Sequence, residues 1–198
     1  MFAYRPRVVT DAASGTLDNG STCLVITGAP ASGKSTVSRL VAQRLMRSAL
    51  LGGDPVNELI VNGRVWALGE PADEAARQVR LCNQNLCALA ANFADAGFTP
   101  VIDSLIPSRD QLDFFLYALS PRQVLLVVLT PSIEVCGHRN LHRDHAEQFF
   151  FDDYETLTSA MHDGFGSVGW WFDTSMLTPT ETATQILANA STLARSGR

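Results

Sequence analysis

The run Gly28-Ala29-Pro30-Ala31-Ser32-Gly33-Lys34-Ser35 satisfies the pattern G-x-x-x-x-G-K-[ST] without a mismatch. Each residue type in it has a chemical reason. The glycines let backbone amides curl inward and point at phosphate oxygens. A helix opening near Lys34 adds the positive end of its dipole. Lys34 supplies a compact charge for β- and γ-phosphates, Ser35 supplies a hydroxyl for Mg2+, and Thr36 follows in the first turn. Further along stand two acids, Asp54 and Asp103, and two arginines spaced i, i+4, Arg139 and Arg143. On a helix that spacing puts both guanidinium groups on one face. Phosphoryl transfer needs such a set: a metal-side acid, a carboxylate near an acceptor hydroxyl, and cations over the phosphates. A basic segment closing over the triphosphate also excludes water.

Composition narrows the field. The chain has 198 residues, with 46% apolar and 18% charged side chains, the profile of a globular domain with a full core. The net charge of −5 argues against a general nucleic-acid surface. Of the 15 basic residues 14 are arginine, and Lys34 is the single lysine. A Ras-type GTPase needs a lysine in its Asn-Lys-x-Asp base-reading motif, so that class is excluded. No Leu-Ser-Gly-Gly-Gln signature occurs, which argues against a transporter ATPase. No apolar run approaches the ~18 residues that span a bilayer, and no signal-peptide core precedes the first strand. The four cysteines, Cys23, Cys82, Cys87 and Cys136, form no Cys-x-x-Cys pair and read as buried free thiols.

The elements that must position these residues alternate between strand and helix. Residues 1–20 read as a loose leader. Residues 22–27 form an apolar strand, the glycine-rich loop follows, and residues 35–48 have helical spacing. A short strand at 50–53 ends at Asp54. A long helix spans 72–96, closed by Gly97. A third strand covers 99–103, a helix 109–119, and a continuous apolar strand 123–129 suits a parallel sheet covered on both faces. A last strand covers 170–173. Thr178-Pro179-Thr180-Glu181 opens a final helix with a capping box. The pattern predicts one α/β domain over residues 21–198, a P-loop three-layer sandwich with a five-stranded parallel sheet and an arginine-bearing lid at about 139–150.

In these features the chain resembles the chloramphenicol phosphotransferase-like group of P-loop kinases, and more distantly shikimate and gluconate kinases. The resemblance rests on Gly28 to Ser35, on Gly-Gly-Asp54 followed by Val56-Asn57-Glu58-Leu59-Ile60, on Val101-Ile102-Asp103, and on Arg139 and Arg143. It implies that Asp54 is the base for the acceptor hydroxyl and that Asp103 lies near Mg2+. The Asp-x-Asp common in shikimate and adenylylsulfate kinases is replaced here by Asp54-Pro55-Val56. Plainer readings stand beside these: Asp54-Pro55 suits a helix cap, Asp103-Ser104 a turn, and Arg139 with Arg143 a solvated face.

The acceptor side falls at 61–70, where the periodicity breaks. Trp66 is a candidate to stack on a sugar or ring, or else covers the core; Arg77 and Arg80 are candidates to reach the acceptor. His142 and His145 read as surface residues, Phe149-Phe150-Phe151 as hinge packing, and Trp170-Trp171 as core. The expectation is an ATP-dependent cytoplasmic enzyme, with GTP as the alternative nucleotide and Mg2+ as cofactor. It acts as monomer or homodimer on a small-molecule hydroxyl, an antibiotic among the candidates, with no nucleic-acid or membrane partner. A nucleoside, nucleotide or sugar-metabolite kinase is one alternative, and an ATPase switch acting on a protein partner is another.

Overall fold

The structure is a computed structural model, and it describes Leu17, residues 20–143, Gln148 and residues 151–195. Most of the expected leader and residues 144–147, 149 and 150 of the expected lid lie outside the described residues. So do His145, Phe149 and Phe150.

Five parallel strands build one sheet: β1 (Thr22–Gly28), β2 (Ser48–Gly52), β3 (Thr99–Asp103), β4 (Gln123–Leu129) and β5 (Trp170–Phe172). Their order across the sheet is β2-β3-β1-β4-β5. The connecting helices are α1 (Lys34–Arg44), α2 (Gly53–Asn57), α3 (Ala72–Asp95), α4 (Arg109–Ala118), α5 (Ile133–Leu141), α6 (Tyr154–Phe165) and α7 (Pro179–Leu193). This is the expected three-layer α/β arrangement. Alternation along β1 explains the layers. Cys23 and Val25 face a core with Leu86, Phe115 and Phe165 of α3, α4 and α6. Leu24 and Ile26 face the other core, with Val37, Val41, Ala183 and Ile186 of α1 and α7. All seven residues of β1 are buried, as a central parallel strand requires.

Strand β1 lies between β3 and β4, so the chain leaves it toward one side and later returns to the other. Ligands in such sheets bind beyond the carboxyl ends of the strands at that reversal. Register does the rest. Ile26 is level with Asp103, and Gly52 is level with Asp103 on its other side. Asp103 therefore ends its strand beside the glycine-rich loop, and Asp54 follows two residues past the neighbouring strand end.

Some expected boundaries move. Helix α1 ends at Arg44, because Ser48 already pairs with Thr99 in the sheet and its hydroxyl donates to Ala42 O. Strand β2 ends at Gly52, and Asp54 lies in the first turn of α2 rather than at a strand end. Strand β5 stops at Phe172. Helix α5 ends at Leu141, so Arg139 is helical and Arg143 lies beyond the cap at His142. The two arginines do not share a helix face. The capping box at Thr178 and Glu181 forms as expected, with Glu181 N–H donating to the Thr178 hydroxyl.

Candidate active site

The loop after β1 takes its shape from two left-handed turns, Ala31 at φ 57° and Gly33 at φ 98°. Gly28, at φ 145°, passes so close to β4 that a Cβ there would sit 2.5 Å from Leu129 O. The first turn of α1 has no side-chain cap, and Ser35 and Thr36 are exposed there, so a helix N-terminus of the kind that binds phosphate follows the loop directly. The Ser32 hydroxyl is buried in this loop with no partner among the described residues.

Lys34 lies inside the curl, and its ammonium donates to Ala29 O at 3.0 Å. Burial pulls its pKa down, while the nearby carboxylates of Asp103 and Asp54 hold it up. Asp103 shows the converse. Burial raises its pKa, a hydrogen bond from Ser35 and the charge of Lys34 lower it, and Asp54 raises it again. Lys34, Ser35, Asp54 and Asp103 thus form one electrostatic cluster. The Ser35 hydroxyl and the Asp103 carboxylate, joined by a hydrogen bond, are hard oxygen donors of the kind Mg2+ takes together with phosphate and water. Among the described residues no group of three or more His, Cys, Asp or Glu side chains could hold a metal by itself.

Arg139 reaches back from α5. Its guanidinium donates to Ser32 O at 2.9 Å and to Thr174 O at 3.2 Å. It ties the phosphate loop to the segment after β5, and Gly33 has room for it, a Cβ there lying 3.6 Å from Arg139 Nη1. Arg143 is exposed past the helix end.

Asp54 is exposed, and the cap reading does not describe it. The N-cap of α2 is Gly52, with no side-chain cap bond. Asp54 lines a cavity of about 460 Å3 with Asn57, Glu58, Arg64 and Trp66. Trp66 is 64% exposed, so it does not cover the core. Glu58 lies outside the expected acceptor stretch, whereas Arg64 falls within 61–70 although it is not singled out there. The i, i+4 spacing of Asp54 and Glu58 on α2 is the signal that could have pointed to the first. Arg77 and Arg80 are both exposed on α3, and neither lines this cavity. Arg77 is held by Glu74 at 2.7 Å.

A second cavity, of about 230 Å3, lies on the other side of the loop between Gly28, Ala29, Ile133, Met161 and Trp171. Trp171 is half-buried there, and Trp170 stacks on Phe172 at 4.3 Å. Phe151 packs edge-on against Tyr154 at 4.8 Å. His142 is exposed, and its ring lies against His138 at 4.1 Å. The four cysteines are free thiols. Burial pushes Cys23 up to about 11 and Cys87 to about 12, which keeps both protonated and inert. Among the described residues no helix is long and apolar enough to cross a membrane.

The phosphate cradle, with one acid ending β3 and another in the first turn of the helix after β2, agrees with what comparison finds. The AAA_33 family of AAA domains matches residues 24–165. The chain belongs to that family. As an AAA_33 domain it has the P-loop kinase-like fold of several solved structures. A sugar kinase from Janibacter sp. HTCC2649 superposes with a TM-score of 0.63 at 19% identity, covering 84% of this chain and 92% of that one. The tunicamycin resistance protein of Deinococcus radiodurans gives 0.60 at 17%, covering 89% and 99%. The Mycobacterium tuberculosis APS kinase, in complex with AMPPNP and APS, gives 0.56 at 16%, covering 84% and 95%. At these identities the likeness is one of fold. No curated protein matches this chain in sequence.

Proposed function

We propose that this protein is an ATP-dependent kinase that moves the γ-phosphoryl group to a hydroxyl of a small molecule. The observation that carries this reading is the single cluster of Lys34, Ser35, Asp103 and Asp54, with Asp54 also lining a separate cavity. One carboxylate, Asp103, is bonded to the serine on the phosphate side. The other, Asp54, is exposed toward a space where an acceptor fits.

The residues divide the work. The loop amides and Lys34 bind the phosphates; Lys34 exchanges its bond to Ala29 O for phosphate oxygen. Ser35 and Asp103 would hold Mg2+, which when bound neutralises charge on the β- and γ-phosphates. Asp54 accepts the proton of the acceptor hydroxyl as its oxygen attacks phosphorus, and ADP leaves. Arg139 fixes the loop, and Arg139 with Arg143 adds cationic charge against the transferring group. Fixed donors aimed at developing charge supply the catalysis.

The acceptor being an antibiotic is supported by the resemblance of the motifs to antibiotic kinases and by the fold shared with a tunicamycin resistance protein. Asp54→Asn is the test. Nucleotide affinity should persist while transfer to a panel of hydroxyl acceptors collapses. Unchanged turnover removes Asp54 from the mechanism. Strictly acceptor-independent ATP hydrolysis favours a nucleotide switch instead.

A further inference from the structure

The cavity beside Asp54 has a chemistry of its own. Its volume of about 460 Å3 suits a small ligand. Two of its walls carry opposite charges, Glu58 and Arg64, and no hydrogen bond or ion pair engages either side chain among the described residues. A carboxylate offers two oxygens to neighbouring hydroxyls, and a guanidinium offers a fork of donors to hydroxyl or ring oxygens. Trp66 adds an exposed indole, rigid and largely apolar. The same stretch leaves further apolar side chains in water: Leu59 is 72% exposed, Val61 85% and Leu68 68%. Exposed apolar side chains grouped along the stretch of chain that carries the cavity residues Glu58, Arg64 and Trp66 mark a binding surface.

The loop that carries Arg64 and Trp66 is pinned. Gln78, buried on α3, donates to Gly63 O at 2.7 Å, and its Oε1 accepts from Val65 N–H at 2.8 Å. Its amide also donates to Glu74, which Arg77 holds from the other side at 2.7 Å; these bonds pull the Glu74 carboxyl down to about 2. A buried amide bonded to main-chain atoms on both sides of Arg64 fixes where that residue and Trp66 point.

We infer that this cavity binds a polyhydroxylated ring bearing an apolar substituent, a glycoside-like acceptor, with Glu58 and Arg64 reading its hydroxyls, Trp66 covering its face and Gln78 positioning the loop. The inference deepens the kinase reading and rests on it for the role of Asp54 alone. A purely phosphorylated sugar fits poorly, because the cavity holds two carboxylates against one guanidinium.

The probes are methyl glucoside, hexyl glucoside and 1-hexanol, with tryptophan fluorescence for binding and labelled ATP for transfer. Hexyl glucoside should quench the fluorescence, and the quench should vanish in Trp66→Phe. It should bind at least about tenfold tighter than either other probe, because five added methylenes and the ring both contribute. Glu58→Gln and Arg64→Ala, both at exposed sites, should each weaken it about tenfold or more. Gln78→Ala should raise the KM for glucoside while the KM for ATP holds, a split that general loss of structure does not produce. Absence of any quench, a gain below tenfold over methyl glucoside, or neutral Glu58→Gln and Arg64→Ala variants overturns the inference. Preferred binding of 1-hexanol does so too. If hexyl glucoside binds as described but receives no phosphoryl group, the cavity stands and the kinase reading falls.

Discussion

Replacing Lys34 by arginine keeps the charge and is expected to abolish most of the activity. The reason lies in the neighbours. Lys34 is half-buried in the loop curl, bonded to Ala29 O at 3.0 Å and in the field of Asp103 and Asp54. An ammonium is a point charge that can turn from Ala29 O to a phosphate. A guanidinium is a planar fork that matches a carboxylate with two parallel bonds. In this pocket the fork closes on Asp103 or Asp54 and takes that acid out of its role. Breaking two charge-assisted bonds of ~1.5–3 kcal/mol each, partly repaid by phosphate, leaves a deficit of about 3–4 kcal/mol. That deficit corresponds to roughly a 100- to 1000-fold loss in kcat. The assay is steady-state transfer from labelled ATP to the best acceptor, with circular dichroism to show that the fold is kept. Lys34→Met serves as the comparison: it also loses activity, through weaker nucleotide binding, but leaves both acids free. Turnover of the Lys34→Arg variant within tenfold of the parent protein refutes the argument about the shape of the charge.

Further outcomes follow from the same geometry. In Asp54→Asn both limbs of the pH profile of nucleotide binding with Mg2+ should move to lower pH. Loss of the Asp54 charge lowers the pKa of Lys34, which then loses its proton earlier as pH rises, and it lowers the pKa of Asp103, which stays ionised further into acid; nucleotide titrations across pH check this. Gly28→Ala should lose ~3 kcal/mol or more in urea unfolding, since its Cβ meets Leu129 O at 2.5 Å, whereas Gly63→Ala, at φ 75° with nothing within 4 Å, should lose only ~1–2 kcal/mol. Arg139→Ala should raise the KM for ATP about tenfold and make the loop segments 28–33 and 174–178 exchange amide hydrogens faster, because the ties to Ser32 O and Thr174 O are gone. Thr178→Ala should cost ~1 kcal/mol of stability by removing the capping box of α7.

The phosphate loop was readable because one contiguous octapeptide carries it, and β3 and β4 because their apolar runs end at polar residues. Helix α3 was readable for the same reason, since its period runs unbroken to Gly97. The acid at Asp103 was legible as a strand end, and its bond with Ser35 follows from the parallel register that sets Ile26 level with it. What sequence left open depends on contacts between distant residues. Arg139 meets Ser32 O across 107 positions, a bond to a main-chain atom that no side-chain pattern announces. The helix bearing Arg139 ends before Arg143 because His142 closes it, and a polar stretch gives no periodic signal for that stop. Arg64 belongs to a loop whose path is set by Gln78, a residue in the middle of a helix that reads as an ordinary polar position.

That last arrangement separates two jobs within one short chain. Gln78 grips the loop through main-chain atoms of Gly63 and Val65, so the path of the loop is indifferent to which side chains stand at positions 64 and 66. The phosphate cradle sits on β1 and α1, a different part of the sheet. Mutation at 64 and 66 can therefore change what is recognised while leaving intact both the scaffold and the machinery that handles ATP. A fold wired this way is a ready starting point for drifting from one acceptor to another, in nature or by directed evolution.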